Sequence, residues 1–199
     1  MPSEVQVTAA YFAKPDKENT RRTLELAKKR AEELGIKTIL VASTSGETGV
    51  RACEVFQGYD VVVVTHSTGF KEPNYQELTD ENRAAIEAAG GTILTCQHAF
   101  GGVGRAVRKK LGTYELEELI AYTLRLFGEG MKVVVEIAVM AADAGLVRTD
   151  ETASSHVRSG VIAIAGTGTG ADTAVVLKPA NAQAFFDLRV LEVLCKPRW

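Results

Sequence analysis

Cysteine is scarce in this chain, and its spacing excludes two classes of protein. The 199 residues contain three cysteines, Cys53, Cys96 and Cys195, which lie far apart and form no C-x-x-C pair. An odd number at such spacing argues against a disulfide framework and against a structural zinc site. We expect all three to be reduced thiols in the core.

A long apolar run and an excess of charge of one sign are also missing. The longest apolar stretch, Met131 to Ala142, is short for a membrane span and carries Lys132 and Glu136, so we expect no membrane partner. Met1 to Glu4 lack the character of a signal peptide, which predicts a cytoplasmic protein. The formal net charge of −2 gives no general attraction to polyanions, so we expect no nucleic-acid partner.

What the chain does contain is an alternation of predicted strands and helices. It is long enough for one well-filled core, so we predict one α/β domain over residues 1–199. Val5 to Phe12 is predicted as a first strand. Apolar, β-branched runs at Lys37 to Ala42, Asp60 to Thr65 and Thr92 to Thr95 are typical of parallel strands covered on both faces. Helical spacing and breakers predict helices at Asp16 to Leu34, Val50 to Phe56, Thr79 to Ala89, Glu115 to Phe127 and Met131 to Ala144.

The last part of the chain predicts a different strand pairing. Val161 to Ala165, Thr173 to Leu177 and Leu188 to Cys195 are predicted strands, and the glycine-rich turn after Ala165 favours a hairpin. The fold class is therefore α/β, with three layers, a mostly parallel sheet with helices on both faces, and late mixed or antiparallel strands. The helix predicted at Glu115 to Phe127 is amphipathic, with one apolar side formed by Leu116, Leu119, Ile120, Leu124 and Phe127.

The segment Ser43-Thr-Ser-Gly-Glu-Thr48 lies between a predicted strand and a predicted helix. A helix start presents unpaired N–H groups at the positive end of its dipole, and Gly46 lets the backbone approach an anion closely. Hydroxyl residues also cap ordinary helices, but four of them with a glycine in six positions exceed what capping requires. We predict a phosphate site here. Its other candidate residues are Ser43, Thr44, Ser45, Glu47 and Thr48.

Four predicted strands end in polar or glycine-rich loops. In an open α/β sheet, ligands bind in the crevice at the carboxyl ends of the strands, where such loops converge. Each loop alone also fits ordinary turn chemistry, whereas their joint occurrence predicts a site. The four loops are Ser43 to Thr48, His66 to Gly69, His98 to Gly104 and Gly166 to Thr173. Beyond the first loop, the candidate binding residues are His66, Ser67, Thr68, His98, Gly166, Thr167, Gly168, Gly170 and Asp172.

His66 and His98 are the candidates for acid or base chemistry, because imidazole exchanges protons near neutral pH. A purely structural histidine is the alternative for each. Cys96 and His98 lie two residues apart, which on a strand permits a thiolate pair, but we expect a buried Cys96 and find no third orienting group. The separations match no local pattern of metal ligands, so we predict no metal site.

Glycines alternate in the loop after the predicted strand at Val161 to Ala165. Gly166, Gly168 and Gly170 differ from the dinucleotide fingerprint G-x-G-x-x-G, which argues against a Rossmann cofactor loop. The alternation fits either a turn whose amides contact a ligand or a plain tight hairpin. Asp172 either binds a sugar hydroxyl or braces this turn.

The Ser43 to Thr48 loop resembles the loop in the C-terminal α/β domain of pyruvate kinase that holds a phosphate of its sugar-bisphosphate effector. This similarity in element order extends from about Asn19 to His66. Over almost the whole chain, the sequence is similar to small stand-alone proteins, best known from archaea, that resemble the pyruvate kinase α/β domain. The motifs of that second resemblance are Met140-Ala-Ala-Asp-Ala-Gly145, Gly166-Thr-Gly-Thr-Gly-Ala-Asp-Thr-Ala174, and Ala180-Asn181 followed by Phe185-Phe-Asp-Leu188.

The resemblance implies the sheet of a pyruvate kinase C-terminal domain and a phosphorylated ligand at the Ser43 to Thr48 loop. Flavin mononucleotide, FMN, is the ligand associated with the stand-alone family, and Phe70 or Phe100 would lie against its ring. Pyruvate kinase activity is not implied, because the catalytic barrel is a separate domain for which 199 residues leave no room. The chain departs from pyruvate kinase domains at Phe70 to Leu78 and at Thr149 to Ser159.

Three functional hypotheses follow. The first is a protein that binds a phosphorylated small molecule, with FMN as the version that the resemblance implies. The second is a phosphoester hydrolase or transferase that uses His66 or His98. The third is a regulatory module that senses a sugar phosphate, and a homo-oligomer is compatible with each.

Overall fold

The apolar runs and amphipathic segments form one seven-stranded sheet with helices on both faces. The computed structural model describes residues 4–150 and 160–198. The strands are β1 (Ala10–Phe12), β2 (Thr38–Ala42), β3 (Asp60–Val64), β4 (Thr92–Leu94), β5 (Val161–Ala165), β6 (Thr173–Lys178) and β7 (Arg189–Pro197). The α-helices are α1 (Asn19–Leu34), α2 (Glu47–Val55), α3 (Asp80–Ala88), α4 (Val103–Leu111), α5 (Leu116–Arg125) and α6 (Glu129–Asp143), and a 3-10 helix spans Ala182–Asp187.

The strand order is β1-β7-β6-β5-β2-β3-β4. β2 is parallel to both β3 and β5, and β3 is parallel to β4, so the carboxyl ends of these four strands meet at one edge of the sheet. β6 runs antiparallel to β5 and to β7, which confirms the predicted hairpin in a mixed sheet. The observed architecture therefore confirms the predicted fold class.

Two apolar cores cover the two faces of the sheet. On one face, α1, α2 and α3 pack against side chains such as Val41 and Val63. On the other face, α5 and α6 pack against their neighbours in sequence, Leu40 and Val64. Burial on both faces explains why β2 and β3 have almost no polar residues. α6 lies against the centre of the sheet, and 12 of its 15 residues are buried, which confirms the predicted buried helix.

The helices after two neighbouring strands lie on opposite faces of the sheet. After β3 the chain continues to α3 on the first face, whereas after β4 it continues to α4, which packs against α5 on the second face. Loops that leave a sheet edge in opposite directions open a crevice between them. This divergence positions the site described below.

Two sequence predictions about element boundaries were wrong. The first strand is limited to Ala10–Phe12, because only these residues pair with β7 at the sheet edge; Val5 is 70% exposed. α4 was not among the predicted helices. Its basic residues, Arg108, Lys109 and Lys110, lie in its last turn, where positive charge interacts favourably with the negative end of the helix dipole. Most of the divergent stretch Thr149 to Ser159 lies outside the described residues.

One prediction about burial was also wrong, and one helix contacts the core with only part of its apolar side. On α5, Ile120 and Leu124 are half-buried against the core beside Ala121, whereas Leu116 and Leu119, and Phe127 after the helix, are exposed. Cys96 is half-buried, since β4 ends at Leu94 and the chain has left the sheet before Cys96. Cys53 and Cys195 are buried, and all three cysteines are free thiols. Within the described residues, no helix is long and apolar enough to cross a bilayer.

Candidate functional site

A cleft of about 1580 Å³ lies at the sheet edge where the loops after β2, β3, β4 and β5 converge. The structure therefore brings together residues from all four predicted loops. The predicted site residues that line the cleft are Ser43, Thr44, Ser45, Glu47, Thr48, His66, His98, Gly166, Gly168 and Gly170. The predicted residues outside its lining are Gly46, Ser67, Thr68, Thr167 and Asp172.

The first turn of α2 forms one wall of the cleft. The Ser43 hydroxyl accepts a hydrogen bond from the Gly49 N–H at 3.1 Å, so this side chain acts within the turn as a cap. Gly46 has a φ of +100°, and a Cβ there would lie 2.5 Å from Asn82 Cβ, so only glycine fits. In the part of the chain that the structure describes, the N–H groups of residues 45–48 have no acceptor.

A neighbouring loop fixes the shape of this turn. The carbonyl of Ser45 accepts hydrogen bonds from the Asn82 side chain at 2.9 Å and from the Thr79 N–H at 3.2 Å. The Thr79 hydroxyl in turn caps α3 by accepting from the Asn82 N–H. These contacts hold the Ser45 carbonyl against the start of α3. The turn is thus preorganised with its free donors at the cleft wall.

His66 forms a chain of polar contacts at the base of the cleft. Its Nδ1 lies 2.7 Å from Glu77 Oε2, and its Nε2 lies 3.4 Å from the Thr44 hydroxyl. A carboxylate only accepts hydrogen bonds, so Nδ1 carries the proton of this contact. In a neutral ring, Nε2 then carries a lone pair that faces the Thr44 hydroxyl. All three side chains line the cleft.

The long loop between β3 and α3 covers the two histidines. The ring of Phe70 lies with its centroid 4.2 Å from that of His66 and 5.0 Å from that of His98. Arg105 of α4 lies over the same phenyl ring, with Cζ 4.7 Å from its centroid. Phe100, the other aromatic candidate, is buried in the core against Phe185 and does not line the cleft. Of the two aromatic candidates, Phe70 is the one that lines the cleft, together with Tyr75 of the same loop.

A buried charged network lies behind His98. Its Nδ1 lies 3.8 Å from Glu136 Oε2, and Lys132 donates to the same oxygen. Glu136 Oε1 accepts the Phe100 N–H at 3.0 Å. Burial raises the pKa of Glu136, but the interaction with the nearby His98 ring and the charge and hydrogen bond of Lys132 outweigh it and lower that pKa to about 2. Glu136 therefore stays ionised beside the cleft.

The glycine-rich turn after β5 closes the opposite side of the cleft. Asp172 is 1% exposed and accepts hydrogen bonds from the Thr167 N–H at 3.1 Å and from the Thr173 hydroxyl at 2.8 Å. These bonds brace the turn from inside. At Gly170, a Cβ would lie 2.8 Å from Lys17 Cα, so the glycine permits close approach of the α1 start.

Charges of both signs line the cleft. The cations are Lys17, Arg21, Arg51, Arg105, Arg125 and Lys132, and the carboxylates are Glu18, Glu47, Glu77, Glu129 and Glu136. No group of three or more potential metal ligands occurs within residues 4–150 and 160–198. Glu77 and Phe70 were not recognised as partners of His66 from sequence, because they reach it through a loop fold with no local pattern. Lys132 and Glu136 had a visible pattern, namely two charges four residues apart in an apolar helix.

Comparison with known proteins identifies the family. A family model described as the pyruvate kinase alpha/beta domain matches residues 21–177, which is more than half of the chain. The chain belongs to this family. The predicted resemblance is thereby confirmed at the level of the domain.

Two solved structures illustrate the similarity. Pyruvate kinase from Cryptosporidium parvum in complex with ADP is 12% identical, with a TM-score of 0.37, over 88% of this chain and 24% of that chain. A variant of O-ureido-L-serine synthase with bound O-ureido-L-serine is 21% identical, with a TM-score of 0.31, over 65% of this chain and 48% of that chain. This member of the pyruvate kinase α/β domain family thus spans about a quarter of the pyruvate kinase that it matches.

Proposed function

We propose that the cleft binds a phosphorylated small molecule, with its phosphate at the start of α2. The observation that carries the proposal is the set of N–H groups of residues 45–48, which have no acceptor in the described chain. These groups lie at the positive end of the helix dipole, where an anion is stabilised. Because Ser43 already caps the turn, the remaining donors are in excess of what the helix itself needs.

Side chains around this turn add donors and positive charge. The hydroxyls of Thr44 and Thr48 are at the cleft wall, and Arg51 lies one turn further along α2. Charge-assisted hydrogen bonds from such groups to phosphate oxygens are stronger than those between neutral groups. Glu47 opposes them at the same helix start. The amides, hydroxyls and Arg51 outnumber this one exposed carboxylate.

FMN is the phosphorylated ligand that we propose from the resemblance, and the residues present fit its two parts. The start of α2 supplies amide donors for the phosphate, and Phe70 supplies an aromatic face for a flat ring system. Aromatic rings stack favourably in offset arrangements. When bound, FMN supplies a redox-active ring. The residues of this chain bind and orient: α2 holds the anion, and Phe70 with His66 packs against the ring.

Titration with FMN and with riboflavin tests the proposal. FMN is expected to bind, and riboflavin, which lacks the phosphate, is expected to bind at least about tenfold more weakly, because hydrogen bonds to a charged group contribute about 1.5–3 kcal/mol each. Isothermal calorimetry measures both affinities. Native mass spectrometry of untreated protein identifies what copurifies. Equal affinity for the two flavins would place the phosphate elsewhere, and failure of FMN and of every sugar phosphate tried would refute the proposal.

A hydroxyl variant locates the phosphate at α2. Thr48→Val keeps the shape of the side chain and removes its donor, so FMN affinity is expected to fall about fivefold, which corresponds to about 1 kcal/mol. Thr113→Val is the matched control, because Thr113 is exposed in the loop after α4 and does not line the cleft. An equal effect of both variants would contradict the assignment.

A further inference from the structure

The two histidines of the cleft differ in what their Nε2 atoms contact. Nε2 of His98 accepts a hydrogen bond from the Ser67 N–H at 3.3 Å, so its lone pair is used within the protein. Nε2 of His66 has one polar neighbour in the described chain, the Thr44 hydroxyl at 3.4 Å, and because a hydroxyl hydrogen rotates, Thr44 can donate to a ligand oxygen instead of to Nε2. His66 is 31% exposed and lines the cleft. Its Nε2 is therefore accessible to a ligand.

Glu77 prepares the ring of His66 for attack through Nε2. The 2.7 Å contact with Nδ1 selects the tautomer with the proton on Nδ1 and the lone pair on Nε2. Phe70, 4.2 Å away, holds the plane of the ring. A histidine that is oriented by a carboxylate, and whose other nitrogen carries its lone pair toward a rotatable hydroxyl at a cleft, has the geometry of an activated nucleophile.

The lone pair of Nε2 faces Thr44, which adjoins the position proposed above for a phosphate. Thr44, its neighbour, immediately precedes the residues whose amides lack acceptors, so a phosphoryl group on Nε2 would reach the donors at the start of α2. We propose that His66 accepts a phosphoryl group on Nε2 from a high-energy donor of the acyl phosphate class. This inference rests on the proposed function, because it uses the same phosphate site.

The transfer is balanced without a further reactant. The Nε2 lone pair forms a bond to phosphorus, and the phosphorus–oxygen bond of the acyl phosphate breaks, so the carboxylate leaves with the electron pair. The ring becomes positively charged, and Glu77 stabilises that charge while the proton stays on Nδ1. The amides at the start of α2 and the Thr44 hydroxyl stabilise the phosphoryl oxygens. Water later hydrolyses the phosphorus–nitrogen bond and regenerates the ring.

Chemical phosphorylation of the whole chain tests this inference. The protein is incubated with acetyl phosphate or with phosphoramidate and examined by intact mass spectrometry, by ³¹P NMR, and by peptide sequencing under alkaline conditions. We expect one phosphoryl group per chain, labile in acid, on His66 and not on His98. A modification on any other residue, or none with either donor, overturns the proposal. Because the phosphorylated residue is identified in the chain without any substitution, this result does not depend on whether a variant folds.

Two glutamate variants test the role of Glu77. Glu77→Gln is expected to slow phosphorylation of His66 by about tenfold or more, the lower end of what an orienting partner of a histidine contributes. Glu72→Gln is the control, because Glu72 is an exposed residue of the same loop and does not line the cleft. Equal rates in all three proteins would show that Glu77 does not activate the ring and would refute this mechanism.

FMN binding separates this inference from the proposed function. His66→Ala is expected to lose phosphorylation and to keep the far-UV circular dichroism of the parent chain. If FMN binds to the parent chain but His66 is never phosphorylated, the inference fails and the proposed function stands. If neither FMN nor inorganic phosphate binds and His66 is not phosphorylated, both fail.

Discussion

Glu136→Gln is expected to reduce both the stability of the fold and its response to acid. The Glu136 side chain is 4% exposed and joins Lys132, the Phe100 N–H and His98. Glutamine keeps the size of the side chain and an oxygen for the Phe100 N–H. It removes the negative charge, so the Lys132 ammonium remains buried without its partner. Breaking a buried pair in this way costs about 3–5 kcal/mol of unfolding free energy.

The lowered pKa of Glu136 gives a second estimate of this loss of unfolding free energy. Its contacts lower the pKa from 4.5 to about 2. Because each tenfold change in proton affinity corresponds to about 1.4 kcal/mol, the ionised carboxylate stabilises the folded state by about 3 kcal/mol. A lowered pKa gives stability that is present above the unfolded value, here about 4.5, and is lost as the pH falls toward about 2.

Urea unfolding followed by far-UV circular dichroism, repeated from neutral pH down to about pH 2, measures the effect. The parent chain is expected to be about 3 kcal/mol more stable than Glu136→Gln above about pH 5. The difference should shrink through the acid range and vanish near pH 2. A difference that stays constant through this range would show that the carboxylate is not the titrating group, and no difference at neutral pH would refute the reasoning about the buried pair.

An exposed pair of the same helical spacing is the control. Arg83 and Glu87 lie 3.8 Å apart on α3, and both side chains are exposed. Glu87→Gln is expected to change the unfolding free energy by less than about 0.5 kcal/mol, because water screens such pairs. Lys132→Met combined with Glu136→Gln should recover part of the loss, since the unpaired ammonium is then gone.

Two further predictions concern other parts of the fold. Arg30 of α1 donates two hydrogen bonds of 2.7 Å to Glu192 of β7, and Glu192 raises the pKa of that guanidinium. Glu192→Gln should therefore lower the unfolding free energy by about 1–2 kcal/mol. A double-mutant cycle with Arg30→Gln should assign this loss to the pair. Burial raises the pKa of Cys195 to about 11, whereas Cys96 is half-exposed, so Ellman's reagent in mildly alkaline solution should react first with Cys96 and reach Cys195 only in urea. Faster labelling of Cys195 would contradict its buried position.

The elements that could be predicted from sequence are those whose burial is complete. β2 and β3 are apolar along their whole length because helices cover both faces, and α6 is apolar on nearly every side because it lies on the sheet. Such patterns do not depend on knowing the neighbours. β1 could not be bounded in this way, because its length is set by pairing with β7, a strand more than 170 residues later.

The helix α5 shows what helical periodicity does not predict. A one-sided distribution of leucines identifies a helix, but it cannot identify which side contacts the rest of the protein. α5 packs through Ala121 and the half-buried Ile120 and Leu124, with Glu118 buried nearby and paired with Arg108 of α4 at 3.3 Å. Leu116 and Leu119 remain exposed. Which part of the apolar side is covered depends on tertiary contacts, which the periodicity does not encode.

The candidate site also contains residues that the sequence pattern predicts and residues that it does not. Ser43 to Thr48, His66 and His98 were predictable because the ends of parallel strands share one edge of the sheet. Phe70 was a candidate for contact with the ring of a ligand, but its contact with His66 and that of Glu77 could not be predicted, because both residues return to His66 through the loop between β3 and α3. That loop is held by its own contacts, such as the Gln76 side chain on the His66 carbonyl at 3.1 Å. No periodic sequence pattern predicts that this loop returns to His66.

α6 gives an independent reason to regard the cleft as a binding site and not as a gap in the packing. Within the described residues, the side chains of α6 that line the cleft occupy positions three or four apart, the spacing of one helix face. A gap in the packing destabilises the fold least when apolar or small residues line it, because a buried charge is unfavourable unless it has a partner. Three of these six positions carry charges, and the cleft-facing set is Glu129, Lys132, Val133, Glu136, Ile137 and Met140. A helix buried almost all round therefore keeps a polar stripe along its first two turns, beside His98. Ion pairs of Lys132 with Glu136 and of Arg125 with Glu129 stabilise these charges in the fold, and the same side chains present polar atoms to a ligand in the cleft.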